Sequence, residues 1–276
     1  MNPHSPAHAG PSEMVSSFWR NRQLMLQLTR REVLGRYRGS LMGLAWSFFN
    51  PLLMLTVYTF VFSVVFKARW GTGEPTSRMQ FALVLFIGVI VHGLIAEVVN
   101  QAPGLILGNA SYVKRVIFPL EILPWVVLGS ALFHALISLM VLLIAQLLFN
   151  GGIPATASLL PLVLLPLVPM TMGFAWLLAA TGVFIRDIAQ VTGIITTVMM
   201  FLAPVFYPVT ALPEQYRKWL YLNPITYIIE QARAVLFAGQ QPNWIGLGVY
   251  SIVALVVAGA GFWWFQMTRK GFADVV

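Results

Sequence analysis

The stretch QLTRREVLGRYRGSLMGLAWSFFNPLLMLTVYTFVFSVVF, from Gln27 to Phe66, runs a basic amphipathic segment directly into a long apolar one. Arg30, Arg31, Arg36 and Arg38 crowd its first half, and no charge occurs from Leu41 to Phe66. One side of the join suits water and phosphate, the other hydrocarbon. As a helix, the charge-free run of about 26 residues would extend ~39 Å, more than the ~30 Å of a bilayer's hydrocarbon core, so it spans with tilt or a kink. Pro51 is the expected kink.

Upstream, Met14 to Arg38 reads as a helix that sets Phe18, Trp19, Leu24, Met25, Leu28 and Val33 against Arg20, Arg22, Arg30 and Arg31. A segment of this kind, assigned to residues 14–40, lies in the membrane interface instead of crossing it; a plain juxtamembrane anchor fits the same composition. Residues 1–13, MNPHSPAHAGPSE, lack the charged and then apolar layout of a cleavable signal and are expected to be a disordered cytoplasmic tail.

Composition sets the class. Of 276 residues, 58% are hydrophobic and only 9% charged, against about 25% charged in soluble domains. The reading is an all-α integral membrane protein with several spans. With no cysteine, disulfide frameworks and thiolate metal sites are excluded. In a membrane chain a net charge of +8 marks cytoplasmic loops and anionic headgroups, so no nucleic acid is expected.

Residues 41–276 read as six spans, at about 41–66, 79–100, 120–149, 158–185, 188–207 and 244–266. Between the second and third, Gln101 to Pro119 is too short and broken to cross. It carries Ser111, Tyr112, Lys114 and Arg115, and reads as a short surface helix or a loop. Pro161, Pro166 and Pro169 make the first half of the fourth span irregular, and Arg186-Asp187 forms a tight charged turn before the fifth. From Pro213 to Phe237, two apolar stretches, each too short to span, flank Asn223-Pro224; the second carries Glu230. That pattern predicts a re-entrant helical hairpin.

Six spans put both termini on one side. With the termini cytoplasmic, Arg20 to Arg38, Lys114, Arg115, Arg186, Arg269 and Lys270 lie inside, against Lys67, Arg69, Arg78, Arg217, Lys218 and Arg233 outside. The inside excess favours this orientation and makes the hairpin extracytoplasmic.

The chain has no G-x-x-x-x-G-K-[ST] phosphate loop, no H-E-x-x-H and no G-x-S-x-G elbow. Its carboxylates are scattered; a lone Glu97 near the end of a span suits either a functional or a structural role. Tyr58, Phe62 and Phe66 recur at helical spacing on the first span, with Trp46 and Phe49 below; Phe201, Phe206 and Tyr207 end the fifth. Such rings can stack on sugars as a polymer slides past, or can pack against neighbouring helices and sit in the aromatic belt.

Five motifs in order carry a resemblance: Arg30-Arg31-Glu32, the run from Arg36 to Phe66, FPLEILP (Phe118 to Pro124), FIRDIAQV (Phe184 to Val191) and NPITYIIEQAR (Asn223 to Arg233). Together with the six-span layout they resemble the membrane subunit of bacterial type-2 ABC exporters that move O-antigen, capsule or teichoic-acid chains. The resemblance implies a homodimer in the inner membrane, bound to two copies of a separate ATP-binding cassette subunit. ATP and Mg belong to that partner, and this chain binds no cofactor and is not itself an enzyme. A lipid-linked polysaccharide would pass between two protomers. The segment before Leu41 becomes an interface or gate helix, with Arg30, Arg31, Arg36, Arg38, Trp46 and Phe49 at the entrance. Residues 103–116, with Ser111, Tyr112, Lys114 and Arg115, become the coupling segment, and Arg186-Asp187 a second ATPase contact. Tyr58, Phe62, Phe66, Phe201, Phe206 and Tyr207 become candidates for the channel lining, and residues 213–237, with Asn223, Pro224 and Glu230, the re-entrant pair. A drug or lipid ABC exporter is the nearest alternative, then a secondary carrier or a membrane-embedded glycan-processing enzyme.

Overall fold

A computed structural model describes residues 10–61, 78–113 and 118–275, and every regular element among them is helical. Helix α1 (Pro11–Arg36) leads through a 3-10 turn into α2 (Trp46–Tyr58). Next come α3 (Arg78–Gln101), the single-turn α4 (Ala110–Val113) and the long α5 (Leu123–Asn150). Then follow α6 (Leu160–Leu164), α7 (Leu167–Phe184), α8 (Ile188–Leu202), α9 (Glu214–Leu220) and α10 (Thr226–Leu236), and α11 (Trp244–Thr268) and α12 (Phe272–Val275) close the chain. The tail expected over residues 1–13 falls mostly outside the described residues, and α1 already begins at Pro11.

Among the described residues, five segments are long and apolar enough to cross a membrane: Gly43–Val61, Met79–Gly104, Leu120–Asn150, Ala155–Phe184 and Trp244–Val275. The expected span at 188–207 is represented by α8, whose 15 residues rise about 22 Å. The backbone leaves helical geometry at Ala203. Pro51 lies inside α2, and the helix runs on through it. The fourth segment is broken, as its prolines predict: a 3-10 turn (Ala155–Leu159), then α6, then a restart at Leu167.

Helix α3 is the centre of the bundle. Of the 18-residue apolar stretch in its span, 72% is buried, against 11% for that in Gly43–Val61. Phe81, Leu85, Phe86, Ile87 and Ile95 are all enclosed by protein, whereas α2 leaves Phe49, Leu53 and Val57 exposed. An apolar face of that kind calls for lipid or another subunit. Helices α7 and α11 meet at glycines: a Cβ on Gly261 would fall 2.1 Å from the Gly173 carbonyl oxygen, and one on Gly173 would fall 2.5 Å from that of Val257. Small residues permit this backbone approach between membrane helices.

Candidate translocation and coupling site

Helix α1 is moored along the start of α5. Ser17 Oγ donates to Glu121 Oε1 at 3.0 Å. Met25 and Leu28 pack on Ile122 and Val126. Thr29 lies where a Cβ on Gly129 would be, at 2.8 Å, and Tyr37 Oη meets His134 Nε2 at 3.1 Å. Because the partners advance together along both chains, the two helices run in the same direction. The mooring uses one face only. Trp19, expected on the apolar face, is 60% exposed and lies under the Arg22 guanidinium at 5.9 Å. Arg30, Arg31, Arg36 and Arg38 are exposed.

Two carboxylates fasten this helix. Glu121, only 6% exposed, also accepts from Arg269 Nη1 at 2.8 Å, and its backbone carbonyl accepts from Trp176 Nε1 at 3.0 Å. The start of α1, the start of α5, the middle of α7 and the end of α11 are thereby joined at one acidic residue. Glu97 on α3 does the same at the other end: Arg36 Nη2 stands 2.6 Å from its Oε1, and His134 Nδ1 is 3.2 and 3.3 Å from its two oxygens. The other ring nitrogen, Nε2, is the one in hydrogen-bond contact with the Tyr37 hydroxyl. Burial pushes the Tyr37 hydroxyl above its ordinary pKa, so it stays protonated. The pair is half shielded, so a double-mutant cycle of Arg36→Ala with Glu97→Ala, read by SDS-induced unfolding, is expected to give a coupling of about 1–2 kcal/mol. A coupling indistinguishable from zero would remove the ion pair as a fastening.

The expected coupling elements gather at one end of the bundle. Ala102–Gly104 and Leu107–Asn109 are 3-10 turns, followed by α4 with Ser111 and Tyr112. Tyr112 stacks on Phe118 with ring centres 4.3 Å apart and accepts from Arg31 Nη2 at 2.9 Å, so α1 touches this segment directly. Gly182 admits the Pro103 carbonyl, which a Cβ would meet at 2.2 Å. That contact brings the Arg186-Asp187 turn, exposed just beyond α7, to the same end. Between α1 and this segment lies a cleft of about 290 Å³, lined by Arg31, Glu32, Gln101 and Asn109 with Leu28 and Val126. Lys114 and Arg115 lie outside the described residues.

The aromatic candidates divide. Trp46 and Phe49 are exposed on α2; Tyr58 is half buried against the core cluster of Leu55, Ala82 and Phe86. Phe201 is 59% exposed at the end of α8 and lies 5.8 Å from Phe206, which leans on the main core. The Tyr207 hydroxyl donates to the Phe201 carbonyl at 3.0 Å. Phe62 and Phe66 lie outside the described residues.

The Asn223-Pro224 break does separate two short helices, α9 and α10, and its motif residues are largely occupied with one another and with their neighbours. Asn223 Nδ2 donates to the Met199 carbonyl at 2.8 Å, and the Pro224 carbonyl accepts from Tyr250 at 2.8 Å. Glu230 accepts from the Tyr221 hydroxyl, whose pKa burial and this carboxylate push up to about 12. Arg233, counted in the sequence among the outer loop charges, is instead buried. It donates to the carbonyls of Val84 at 2.9 Å, Pro204, and Val205 at 2.9 Å. Two of those acceptors lie just past the end of α8. Burial lowers its pKa to about 9, which leaves it charged at neutral pH.

A family model described as ABC-2 type transporter matches residues 23–237, from within α1 to the end of α10. The chain belongs to this family. Relatives align nearly end to end. This ABC-2 chain is 26% identical to the O-antigen export system permease protein RfbA of Myxococcus xanthus, over 95% of its own length and 99% of the relative's. It is 23% identical to the RfbA of Klebsiella pneumoniae, over 92% and 95%. It is 21% identical to the polysialic acid transport protein KpsM of Escherichia coli, over 84% and 88%.

The residues that tie the ABC-2 chain's site together were mostly outside the set expected from sequence. Glu121, His134 and Arg233 are functional in the sense of positioning other elements, and the only sequence signal for them is a lone polar group in an apolar run: Glu121 within FPLEILP, His134 in the third span, Arg233 at the end of NPITYIIEQAR.

Proposed function

We propose that this chain is the membrane subunit of an ATP-driven exporter that carries a lipid-linked polysaccharide of the O-antigen, capsule or teichoic-acid class out of the cytoplasm. The observation that carries the reading is the end-to-end similarity to O-antigen export permeases, over 95% of this chain and 99% of one relative. Two copies would form the path, each bound to one ATP-binding cassette subunit that supplies ATP, Mg and hydrolysis, in the bacterial inner membrane with both termini cytoplasmic. The exposed apolar side of α2 supports a second protomer as its neighbour. In this arrangement α8 and its turn complete a sixth crossing, and α9 and α10 are the extracytoplasmic re-entrant pair.

Under this reading α1 is the gate helix. Its arginines Arg30, Arg31, Arg36 and Arg38 offer guanidinium groups to the pyrophosphate of the incoming lipid-linked chain, with Trp46 and Phe49 next along the path. Tyr58, Phe62, Phe66, Phe201, Phe206 and Tyr207 would line the channel farther on, where flat apolar faces let sugars slide. Closure of the ATPase dimer would press on residues 103–116 and on Arg186-Asp187. The Arg31 to Tyr112 hydrogen bond supports a direct route from that push to the gate helix, and the packed interfaces around it are of the kind that switch between two arrangements.

The test is reconstitution with the partner ATPase. Replacing Lys114 and Arg115 together with Glu is expected to lower substrate-stimulated ATP hydrolysis at least tenfold while membrane insertion is unchanged. Unaltered stimulation would remove the coupling assignment. Glycan movement by this chain alone under a proton gradient would replace the whole reading with a secondary carrier.

A further inference from the structure

At the end of the bundle opposite the coupling segment lies a second cleft, of about 380 Å³, between the start of α3, the end of α5 and the turn that follows α10. Its size falls within the ~300–1,000 Å³ common for small-ligand sites. The lining is Gln80, Gln146, Asn150, Gly152, Pro154 and the stretch from Phe237 to Gly239. Three of these are amides, one is aromatic and none is charged. We propose that this cleft is a binding site for a neutral sugar ring.

The chemistry favours that ligand class over others. Amide side chains present a donor and an acceptor together, the complement of adjacent hydroxyls on a pyranose. An aromatic ring beside them offers a face to the sugar's C–H groups. A phosphate or carboxylate would find no counter-charge among the described lining residues. Gln146 supplies the most direct pointer. It is 2% exposed, its Nε2 is committed to the Leu236 carbonyl at 2.7 Å, and its Oε1 has no hydrogen-bond partner among the described residues. Gln146 lines the cleft, and a buried acceptor left open in this way calls for a donor.

The cleft is also held in shape. Thr156 Oγ1 donates to the Val235 carbonyl at 2.7 Å, so α5 and the turn before α6 both grip the last turn of α10. Gly151 (φ 73°) and Gly239 (φ 64°) take left-handed conformations at the two loops that frame the opening, which side chains with a Cβ resist. On the orientation proposed above, the opening faces the extracytoplasmic side, where an exported glycan emerges. The site rests on the export reading for the origin of its sugar and not for binding itself.

The experiment uses the purified full chain in phosphatidylcholine nanodiscs, without the ATPase. Methyl α-glucopyranoside, methyl α-mannopyranoside, methyl α-galactopyranoside and N-acetylglucosamine are each titrated and followed by saturation-transfer NMR. At least one is expected to bind saturably at millimolar concentration, and Asn150→Ala, at an exposed position, is expected to weaken it at least tenfold. Gln146→Leu is expected to do the same where its thermal unfolding stays near that of the parent. The site is overturned if none of the four sugars saturates, if glycerol at equal concentration gives the same signal, or if Asn150→Ala leaves affinity within twofold. Sugar binding with no export by the reconstituted complex would overturn the export reading and leave the site standing; export without sugar binding would do the reverse.

Discussion

Gly261→Ala is expected to separate α7 from α11 and to leave little folded protein. The added methyl would sit 2.1 Å from the Gly173 carbonyl oxygen and 2.8 Å from its carbonyl carbon, well inside van der Waals contact. These are backbone atoms in the middle of a helix, so no side chain can rotate away, and the two spans must move apart along their shared length. That displacement would loosen the packing of Trp176, Phe262 and Phe265, which are all fully buried in the main core. Overpacking at the glycine, together with the looser fit of these aromatic rings, sets the cost at about 3 kcal/mol or more. Gly259, two positions earlier on α11, has nothing within 4 Å of an added Cβ. Gly259→Ala should therefore be neutral or stabilising by up to about 1 kcal/mol, since alanine is the better helix former. Unfolding of both variants in SDS, with fluorescence-detected size exclusion, checks the contrast. Equal behaviour would mean that the two helices do not meet at this glycine.

Arg233→Ala is expected to be comparably damaging for an electrostatic reason. The guanidinium satisfies the carbonyls of Val84, Pro204 and Val205 from within the protein, two of them just past the end of α8, where the helix no longer supplies donors. Removing it leaves buried acceptors unsatisfied and a void between α3 and α10, with an expected loss of about 3–5 kcal/mol. Arg233→Lys restores the charge but not the planar fork that reaches three acceptors at once, so it should recover less than half of that loss. Gly88→Ala offers an independent probe, because its Cβ would fall 3.0 Å from Arg233 Nη2 and 3.2 Å from Val205 Cα. It is expected to shift the unfolding midpoint in the same direction by a smaller amount. If Arg233→Lys matched the parent, a point charge would be enough and the fork geometry would be irrelevant.

Much of the fold is legible in the order of residues because a bilayer imposes a length and a polarity on each crossing helix. The charge-free run after Arg38, the proline-broken start of the fourth segment and the paired short helices around Asn223-Pro224 are all local properties. Each depends on residues close together in the chain. The site is less legible. Glu97 reads as a lone carboxylate near the end of a span, and nothing nearby in sequence announces that Arg36 and His134 converge on it. Tyr58 recurs with Phe62 and Phe66 at helical spacing in the sequence, which marks it as one of a stripe, yet in the fold it rests against the core cluster around Leu55 and Phe86. Trp19 reads as part of the apolar face of its helix, but α5 covers α1 on one side only and leaves it exposed.

Residue order alone was enough to make the chain a helical membrane protein, to place where most of its crossings begin and end, and to mark the basic segment that precedes the first of them. Hydrophobic length and charge placement are one-dimensional quantities, and the membrane reads them directly. The folded arrangement was needed to see that α1 is moored along α5, that Glu121 joins four elements, that Arg233 is an internal brace instead of a loop charge, and that an amide-lined cleft includes Gln146, whose acceptor has no partner among the described residues. Those features pair residues from distant parts of the chain, and the partner of a buried polar group is set by which helices pack together, something periodicity along a single helix does not encode.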